Sequence, residues 1–256
     1  MTGRTDERGL PAVAVGDLSY AYANGEPVLH DLSLVVAAGQ TVVLAGLSGC
    51  GKTTLCNCLT GLAPKALGGR LSGTIHICGA DIAALPLCQV SSRIGLVFQD
   101  PDDQIVAATV EDEIAFAPEN LAIDPAEIRR RVDRELARFG IAGLALRNPT
   151  TLSGGEKHLV AIAAVLALDP PVVVLDEPLA QLDQAGRLLV LGALLELRKE
   201  RRTLIIVEHD LSLLDFADRY IVMLGGRIVS DSSDRPSAFV ERPDPAVSAP
   251  RLRLAT

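Results

Sequence analysis

The chain has no tryptophan, and only three tyrosines and five phenylalanines among 256 residues. So few aromatics leave no series of platforms on which single-stranded bases could stack. Basic charge is also short. Lys and Arg number 24 against 32 Asp and Glu, a net charge of −8, which argues against a general nucleic-acid binder and its usual basic patch. Long apolar runs are missing too. The longest, Leu159 to Leu168, stops at Asp169-Pro170-Pro171, well below the about 20 residues that a spanning helix needs. The first residues (MTGRTDERGLPAV) are polar and lack the apolar core of a leader, so no signal peptide is expected. Five cysteines are an odd number with no paired metal-ligand spacing, which reads as reduced, mostly buried thiols rather than disulfides or a metal centre. Cys56 and Cys58, two apart on an expected helix, should point to opposite faces.

What is present is globular in kind. Apolar residues make up 48% and charged residues 22%. The length suits one large domain or two small ones. From Ala12 to Val36 the chain alternates around Asn24-Gly25, which predicts an antiparallel strand pair. Thr41-Val42-Val43-Leu44-Ala45 is a continuous apolar run of the kind found in a buried parallel strand. A Gly-rich loop follows, then a helix from about Lys52 to Leu62 and a strand from Ile94 to Phe98. Helical signals fill Thr109 to Phe139. Asp124-Pro125-Ala126-Glu127 sets a cap, a first-turn proline and an acidic third residue in order. Ile128, Val132, Leu136 and Phe139 then share a face, and Gly140 ends the helix. Arg129, Arg130, Arg131 and Arg134 read as a solvated face paired with Asp133 and Glu135, or as a partner surface. A helix from Glu156, a strand Val172 to Leu175, a helix to about Glu200, a strand Thr203 to Val207, a short helix after Asp210 and a hairpin at Gly225-Gly226 complete the order. Alternating strands and helices predict an α/β fold with a mostly parallel sheet and helices on both faces. Residues 232–256, spotted with Pro and Arg and without periodicity, read as a loosely ordered tail.

Three motifs carry chemistry. Gly46-Leu47-Ser48-Gly49-Cys50-Gly51-Lys52-Thr53 has the full phosphate-loop spacing. Its glycines let backbone N–H groups converge on phosphate oxygens, and the next helix points its positive end there. Lys52 supplies a charge for the β and γ phosphates, and Thr53 a hydroxyl for Mg²⁺. A plain strand-to-helix turn is the alternative. Val172-Val173-Val174-Leu175-Asp176-Glu177 is an apolar strand ending in two carboxylates. Asp176 is placed to hold Mg²⁺ through water, and Glu177 to orient or deprotonate an attacking water. The bland alternative is a helix cap. Leu152-Ser153-Gly154-Gly155-Glu156 contains a capping box, Ser153 with Glu156. Two successive glycines at a helix start cost stability. They make sense where the backbone must approach another group closely, and a helix start of this kind suits a γ-phosphate.

In this order, the phosphate loop, LSGGE and VVVLDEP resemble an ATP-binding-cassette (ABC) ATPase, from about Val13 to Ser230. The resemblance implies a P-loop ATPase domain over 1–231, with an antiparallel β subdomain and a helical subdomain at about 100–155, and the tail after it. It implies ATP and Mg²⁺ as cofactors. Tyr22 matches the aromatic that stacks on adenine, with Tyr20 as competitor. Thr54 continues the phosphate loop, Gln99 matches the glutamine that reaches Mg²⁺ and the attacking water, and His209 matches the histidine that contacts the γ-phosphate. Ala180-Gln181-Leu182-Asp183 matches the loop lining the dimer seam. In that family two subunits pack head to tail, each ATP lying between one chain's phosphate loop and the other's Ser153-Gly154-Gly155-Glu156 equivalent. A second ATPase subunit, the same chain or a paralogue, is therefore implied.

The segment Gly95 to Gln104 with Thr109 to Leu121 is similar to the energy-coupling factor branch, whose importers take up vitamins, cobalt or nickel. This implies a transmembrane coupling protein, a substrate-capturing membrane protein, and a peripheral place on the cytoplasmic face of the membrane. The stretch from Gln99 to Phe116 would help form the coupling groove. Asp100, Asp102, Asp103, Glu111, Asp112 and Glu113 would either meet basic residues of the coupling protein or form a solvated acidic loop. Leu159, Leu179 and Gln181 depart from the common pattern, where Arg, a small hydroxyl residue and Gly or Ser are frequent. All three are expected near the seam, which leaves room for an asymmetric heterodimer. The rival reading is a soluble, non-transport cassette serving an assembly complex.

Overall fold

The computed structural model describes residues 9–23, 25–236, 239–242 and 251–254. Two sheets carry the fold. The first is antiparallel and joins β1 (Val13–Ala21), β2 (Pro27–Val36), β4 (Arg70–Ile77) and β5 (Ala80–Asp81) in the order β2-β1-β4-β5. The second has six strands: β3 (Thr41–Gly46), β6 (Ile94–Val97), β7 (Val172–Asp176), β8 (Thr203–Val207), β9 (Arg219–Leu224) and β10 (Arg227–Ser232), in the order β10-β9-β3-β8-β7-β6. Its pairings are parallel except for the β9–β10 hairpin at the edge.

The central strands are mostly apolar because both faces are covered, with Thr41, Thr203 and Asp176 at their ends. All residues of β3, β7 and β8 are buried. Successive side chains alternate between two cores. Val42, Leu44, Val172 and Val174 face the antiparallel sheet and α1 (Lys52–Leu59). Val43, Ala45, Val173 and Leu175 face a helical layer. That layer holds α4 (Val110–Asn120), α5 (Pro125–Arg138), α6 (Gly154–Leu166) and α7 (Gln184–Lys199), between which α6 packs. Two short helices, α2 (Leu62–Lys65) and α3 (Leu87–Ser91), connect β3's helix to β6.

Several sequence expectations differ in detail. Helix α1 ends at Leu59 rather than Leu62. It is enclosed, so Cys56 and Cys58 are both fully buried although two residues apart. Burial pushes the Cys58 thiol up to about 12 and Cys56 well above its ordinary value, as suits inert thiols. Cys50 is also buried, Cys78 is half-buried and Cys88 exposed. The segment after Asp210 is a single 3-10 turn, Leu211–Leu213. The β4–β5 hairpin was not legible: β4 carries Gly73 beside a register shift against Gly16–Ser19, and its first half is exposed, so no alternation shows. In the tail, β11 (Phe239–Arg242) and β12 (Arg251–Leu254) form an antiparallel pair where the sequence reading had only a loose segment. The residues around them lie outside the described ones, as does Asn24 of the first turn.

The arginines of α5 are paired within the chain. Arg129 bonds Asp133 and Glu111, Arg130 and Arg131 bond Glu127, and Arg134 and Arg138 bond the fully buried Glu135.

Candidate functional site: a phosphate loop facing a carboxylate–histidine pair

The phosphate loop leaves β3 at Gly46 and enters α1 at Lys52. Gly46 has φ 151, and a Cβ there would lie 2.4 Å from the Met223 carbonyl oxygen; only glycine fits. Gly51, the N-cap of α1, has φ 103, supplies no side-chain cap, and no acidic residue follows in the first turn. The positive end of α1 therefore keeps its amides for an anion. Ser48, Gly49 and Thr53 are exposed at this end, Leu47 is half-buried, and Cys50 and Thr54 are buried. Lys52 is buried, with Nζ donating to the carbonyls of Gly46 (2.8 Å) and Leu47 (2.9 Å), which hold the ammonium at the loop's centre.

Asp176 closes β7 and is buried, with burial pushing its carboxyl above the ordinary range. Thr53 hydrogen-bonds it. Its Oδ1 is a buried acceptor with no donor among the described residues. A buried carboxylate oxygen without a donor, beside a threonine hydroxyl, suits a divalent cation. Among the described residues no cluster of three or more metal-ligating side chains forms a cage by itself. That agrees with Mg²⁺, which is commonly held by one or two carboxylates together with substrate phosphates.

Glu177 follows with φ 48, a left-handed conformation uncommon for a residue with a Cβ, and its N–H donates to the Val207 carbonyl. The turn aims its side chain out of the sheet end. There Gln99 Nε2 donates to Glu177 Oε2 at 3.0 Å, and His209 Nε2 lies 2.6 Å from Glu177 Oε1. The ends of β6, β7 and β8 thus bring Gln99, Glu177 and His209 to one point, though they are far apart in sequence. A carboxylate accepting from both neighbours, beside a phosphate loop, is equipped to take a proton from water.

Tyr22 and Tyr20 differ in their places. Tyr20 lies inside β1, 1% exposed, and donates to the Gly68 carbonyl. Tyr22 is just past the strand end and 37% exposed. Its ring meets Tyr20 edge-on at 5.0 Å, and its hydroxyl is 3.2 Å from Thr54 Oγ1 at the start of α1. Of the two, Tyr22 has the more exposed ring and the hydroxyl that reaches the start of α1.

The LSGGE segment is a helix start with a complete capping box: Glu156 N–H donates to Ser153 Oγ, and Ser153 N–H to Glu156 Oε2 at 2.8 Å. The two glycines differ in what they approach. Neither has positive φ, and a Cβ on Gly155 would lie 2.6 Å from Gly186 Cα in α7. The group that Gly155 approaches is this chain's own backbone, which suffices to require glycine there. On Gly154 the nearest atom is the end of Leu182, at 3.1 Å, and the residue itself is exposed.

A family model described as ABC transporter matches residues 29–180, more than half of the chain. The chain belongs to the ABC transporter ATP-binding family. It is 41% identical over 228 residues to a putative ABC transporter ATP-binding protein of Methanosarcina acetivorans, covering 88% of this chain and 36% of that one. The chain thus spans little more than a third of the first curated relatives it matches. It covers more of others. The cobalt import ATP-binding protein CbiO of Syntrophus aciditrophicus is 40% identical over 234 residues, 91% of this chain and 81% of its own. An energy-coupling factor transporter ATP-binding protein, EcfA1 of Levilactobacillus brevis, is 38% identical over 232 residues, 90% and 81%. The solved structure of cbiO1 from Clostridium perfringens, described as part of the ABC transporter complex cbiONQ, superposes with TM-score 0.77 at 34% identity, covering 87% of this chain and 88% of that one.

Within the cassette, the departures from the common pattern look different in three dimensions. Leu159 and Leu179 are 3% and 4% exposed. Both sit in the helical-layer core rather than at a surface, so they say little about a seam. Gln181 is exposed, and its φ of 58 explains why Gly is frequent at such a position. Most of the acidic segment is engaged internally. Asp100 and Thr109 cap helical turns, Thr109 also bonds Asp112, Asp102 pairs with Lys157 and Glu111 with Arg129. Glu113, buried, accepts from the amides of Val106 and Ala107. Asp103 is exposed. One residue escaped the sequence reading. Glu208, buried between Val207 and His209, is an acidic residue directly after the apolar run Leu204 to Val207, and that juxtaposition was the available signal.

Proposed function

We propose that this chain is the ATP-hydrolysing subunit of an importer of the energy-coupling factor type, driving uptake of a vitamin or a transition-metal ion. The observation that carries hydrolysis is the meeting of Gln99, Glu177 and His209 at the sheet end that also bears the phosphate loop. In this reading Tyr22 stacks on adenine. The amides of Gly46 to Thr53 and the Lys52 ammonium bind the phosphates. Thr53, Asp176 and Gln99 hold Mg²⁺, which when bound neutralises charge on the transferred phosphoryl group. Glu177 takes the proton of a water that Gln99 helps orient, and His209 donates to the γ-phosphate region while keeping Glu177 in place. Ser153 and the amides that open α6 face the nucleotide of a second ATPase subunit, the same chain or a paralogue.

The importer branch rests on the Gln99 to Leu121 segment and on the names carried by the relatives. Two features of the helical subdomain support a partner there. Val106 and Phe116 are large apolar residues that are 68% and 48% exposed. A groove of about 440 Å³ between α4 and α5 is lined by apolar residues, including Ala115, Ile123 and Val132, and by Glu111, Asp112, Glu119 and Arg129, the last paired with Glu111. Among the described residues no helix is long and apolar enough to cross a membrane. Membrane attachment in this reading comes through the coupling protein. Mild-detergent purification of the tagged chain from its native membrane tests the proposal. Recovery of a transmembrane coupling protein and a small membrane protein supports it; a purely soluble complex overturns it in favour of an assembly ATPase.

A further inference from the structure

Glu208 is a carboxylate 4% exposed at the end of β8, with Val207, Leu179 and Leu211 as buried apolar neighbours. Burial pushes its carboxyl up, and the nearby Glu177 charge adds to that. A buried acid next to a like charge costs stability. A neutral side chain would be the cheaper filling. What the carboxylate does instead is accept two backbone bonds on opposite sides. Oε1 takes the Leu179 N–H at 2.9 Å, and Oε2 takes the His209 N–H at 3.2 Å. Its own N–H donates to the Leu44 carbonyl in β3, the strand that leads into the phosphate loop. Leu179 stands two residues after Glu177, in the loop that turns toward Gln181. A cavity of about 160 Å³ in front is lined by Glu177, Leu179, Glu208, His209, Arg187 and Asp210 among others.

We propose that Glu208 is a positioning residue for hydrolysis: by holding the Leu179 amide with one oxygen and the His209 amide with the other, it fixes the spacing across which Glu177 and His209 touch. The proposal rests on Glu177 and His209 serving ATP hydrolysis as proposed above. Glu208 touches neither nucleotide nor water in this scheme. It acts through the two backbone segments that carry those side chains. Because the 2.6 Å contact lies between strand ends, loosening either amide lets the pair drift apart while the phosphate loop and Tyr22 keep their places.

Steady-state ATPase kinetics on the assembled complex, with nucleotide affinity and melting temperature measured alongside, test this. In Glu208→Gln one carboxylate oxygen becomes an NH₂ that faces an amide N–H, so one of the two bonds is lost. The expected result is a kcat lowered about tenfold or more, with KM and nucleotide affinity within about twofold of wild type. Glu208→Asp keeps both acceptor oxygens on a side chain one methylene shorter, so it should recover part of the loss and leave kcat a few-fold below wild type. In the His209→Ala background, Glu208→Gln should slow hydrolysis little further, since the contact it serves is already gone. Wild-type kcat in Glu208→Gln, or kcat and KM worsening together with a lowered melting temperature, overturns the proposal. Should Glu208→Gln fail to fold, Glu208→Asp is read alone: a kcat reduced a few-fold at unchanged KM supports it, and an unchanged kcat or a raised KM overturns it. Glu177→Gln in parallel separates the two levels. If it hydrolyses ATP normally, the site assignment fails. If it is inactive and the Glu208 variants match wild type, only the positioning role fails.

Discussion

Gly155→Ala puts the tightest contact in the LSGGE segment to the test. The added Cβ would stand 2.6 Å from Gly186 Cα, with the Gly186 carbonyl carbon and oxygen at 3.4 Å. The obstacle is backbone inside the first turn of α7, tied by the Gly186 N–H to Asp183 Oδ1 at 2.8 Å, so it cannot swing aside as a side chain could. Relieving the clash means moving α6 and α7 apart by nearly 1 Å over a core that both helices share. Overpacking of this kind costs about 1–3 kcal/mol. Alanine returns about 0.5–1 kcal/mol of helix preference relative to glycine. Taking the middle of each range, the net expectation is a loss of about 1.3 kcal/mol, or a melting temperature lower by about 3–5 °C for a chain of this size. Gly154→Ala is the control. Its Cβ meets only the tip of Leu182 at 3.1 Å, so its stability should stay within about 0.5 kcal/mol of wild type. Urea or thermal unfolding of the isolated, nucleotide-free chain measures both. A Gly155→Ala protein as stable as wild type refutes the packing argument. If that protein also loses ATPase activity, the glycine is required by an approaching phosphate rather than by Gly186.

Other outcomes follow from the site and from α5. Glu177→Gln should lower hydrolysis by about 10²–10⁴-fold while retaining ATP and Mg²⁺ binding and accumulating as an ATP-bound dimer on sizing; undiminished turnover would remove Glu177 from the reaction. Tyr22→Ala should weaken ATP binding by about 1–3 kcal/mol, and Tyr22→Phe much less, because the ring face rather than the hydroxyl does the stacking; equal losses in a nucleotide-binding titration would show that the bond to Thr54 matters instead. In α5, the Arg131 and Arg130 guanidiniums hold the Glu127 carboxyl down to about 2 from an ordinary value near 4.5. A lowered folded-state value means stabilisation that is complete above the ordinary value and fades as pH falls toward 2. Wild type should therefore lose stability across that window more steeply than Glu127→Gln in urea unfolding followed by circular dichroism, and parallel slopes would dismiss the pairing.

The parts of the molecule that were legible in the sequence are those specified by neighbours along the chain. The phosphate loop, the apolar β7 run ending in Asp176-Glu177 and the Ser153–Glu156 capping box are all local patterns, and each folds as its spacing suggests. The choice between Tyr22 and Tyr20 was harder, since both fit a strand's end. It turns on β1 stopping at Ala21, which leaves one tyrosine inside the sheet and the other beyond it. The β4–β5 hairpin was hidden because its strand partner is β1, more than fifty residues earlier, and its glycine bulge breaks the alternation that marks a strand. Leu159 and Leu179 likewise depend on contacts distant in sequence. Their types differ from the common pattern, but only packing shows that they point into the core.

The LSGGE glycines and Glu208 extend this point from fold to site. A pair of glycines in sequence says that something comes close, without saying what. Here two answers coexist on adjacent residues. Gly155 faces the α7 backbone and serves the fold, while Gly154 at the same helix start is exposed and meets only the tip of Leu182. The motif is therefore part structural, with the exposed Gly154 left outside that packing. Glu208 shows the converse. It lies outside every motif, yet it joins the loop after Glu177 to the backbone of His209. A carboxylate that costs stability where it sits and accepts only from the backbone of Leu179, two residues after Glu177, and of His209 is best understood through the two segments it ties, and its effect should appear in turnover rather than in nucleotide affinity.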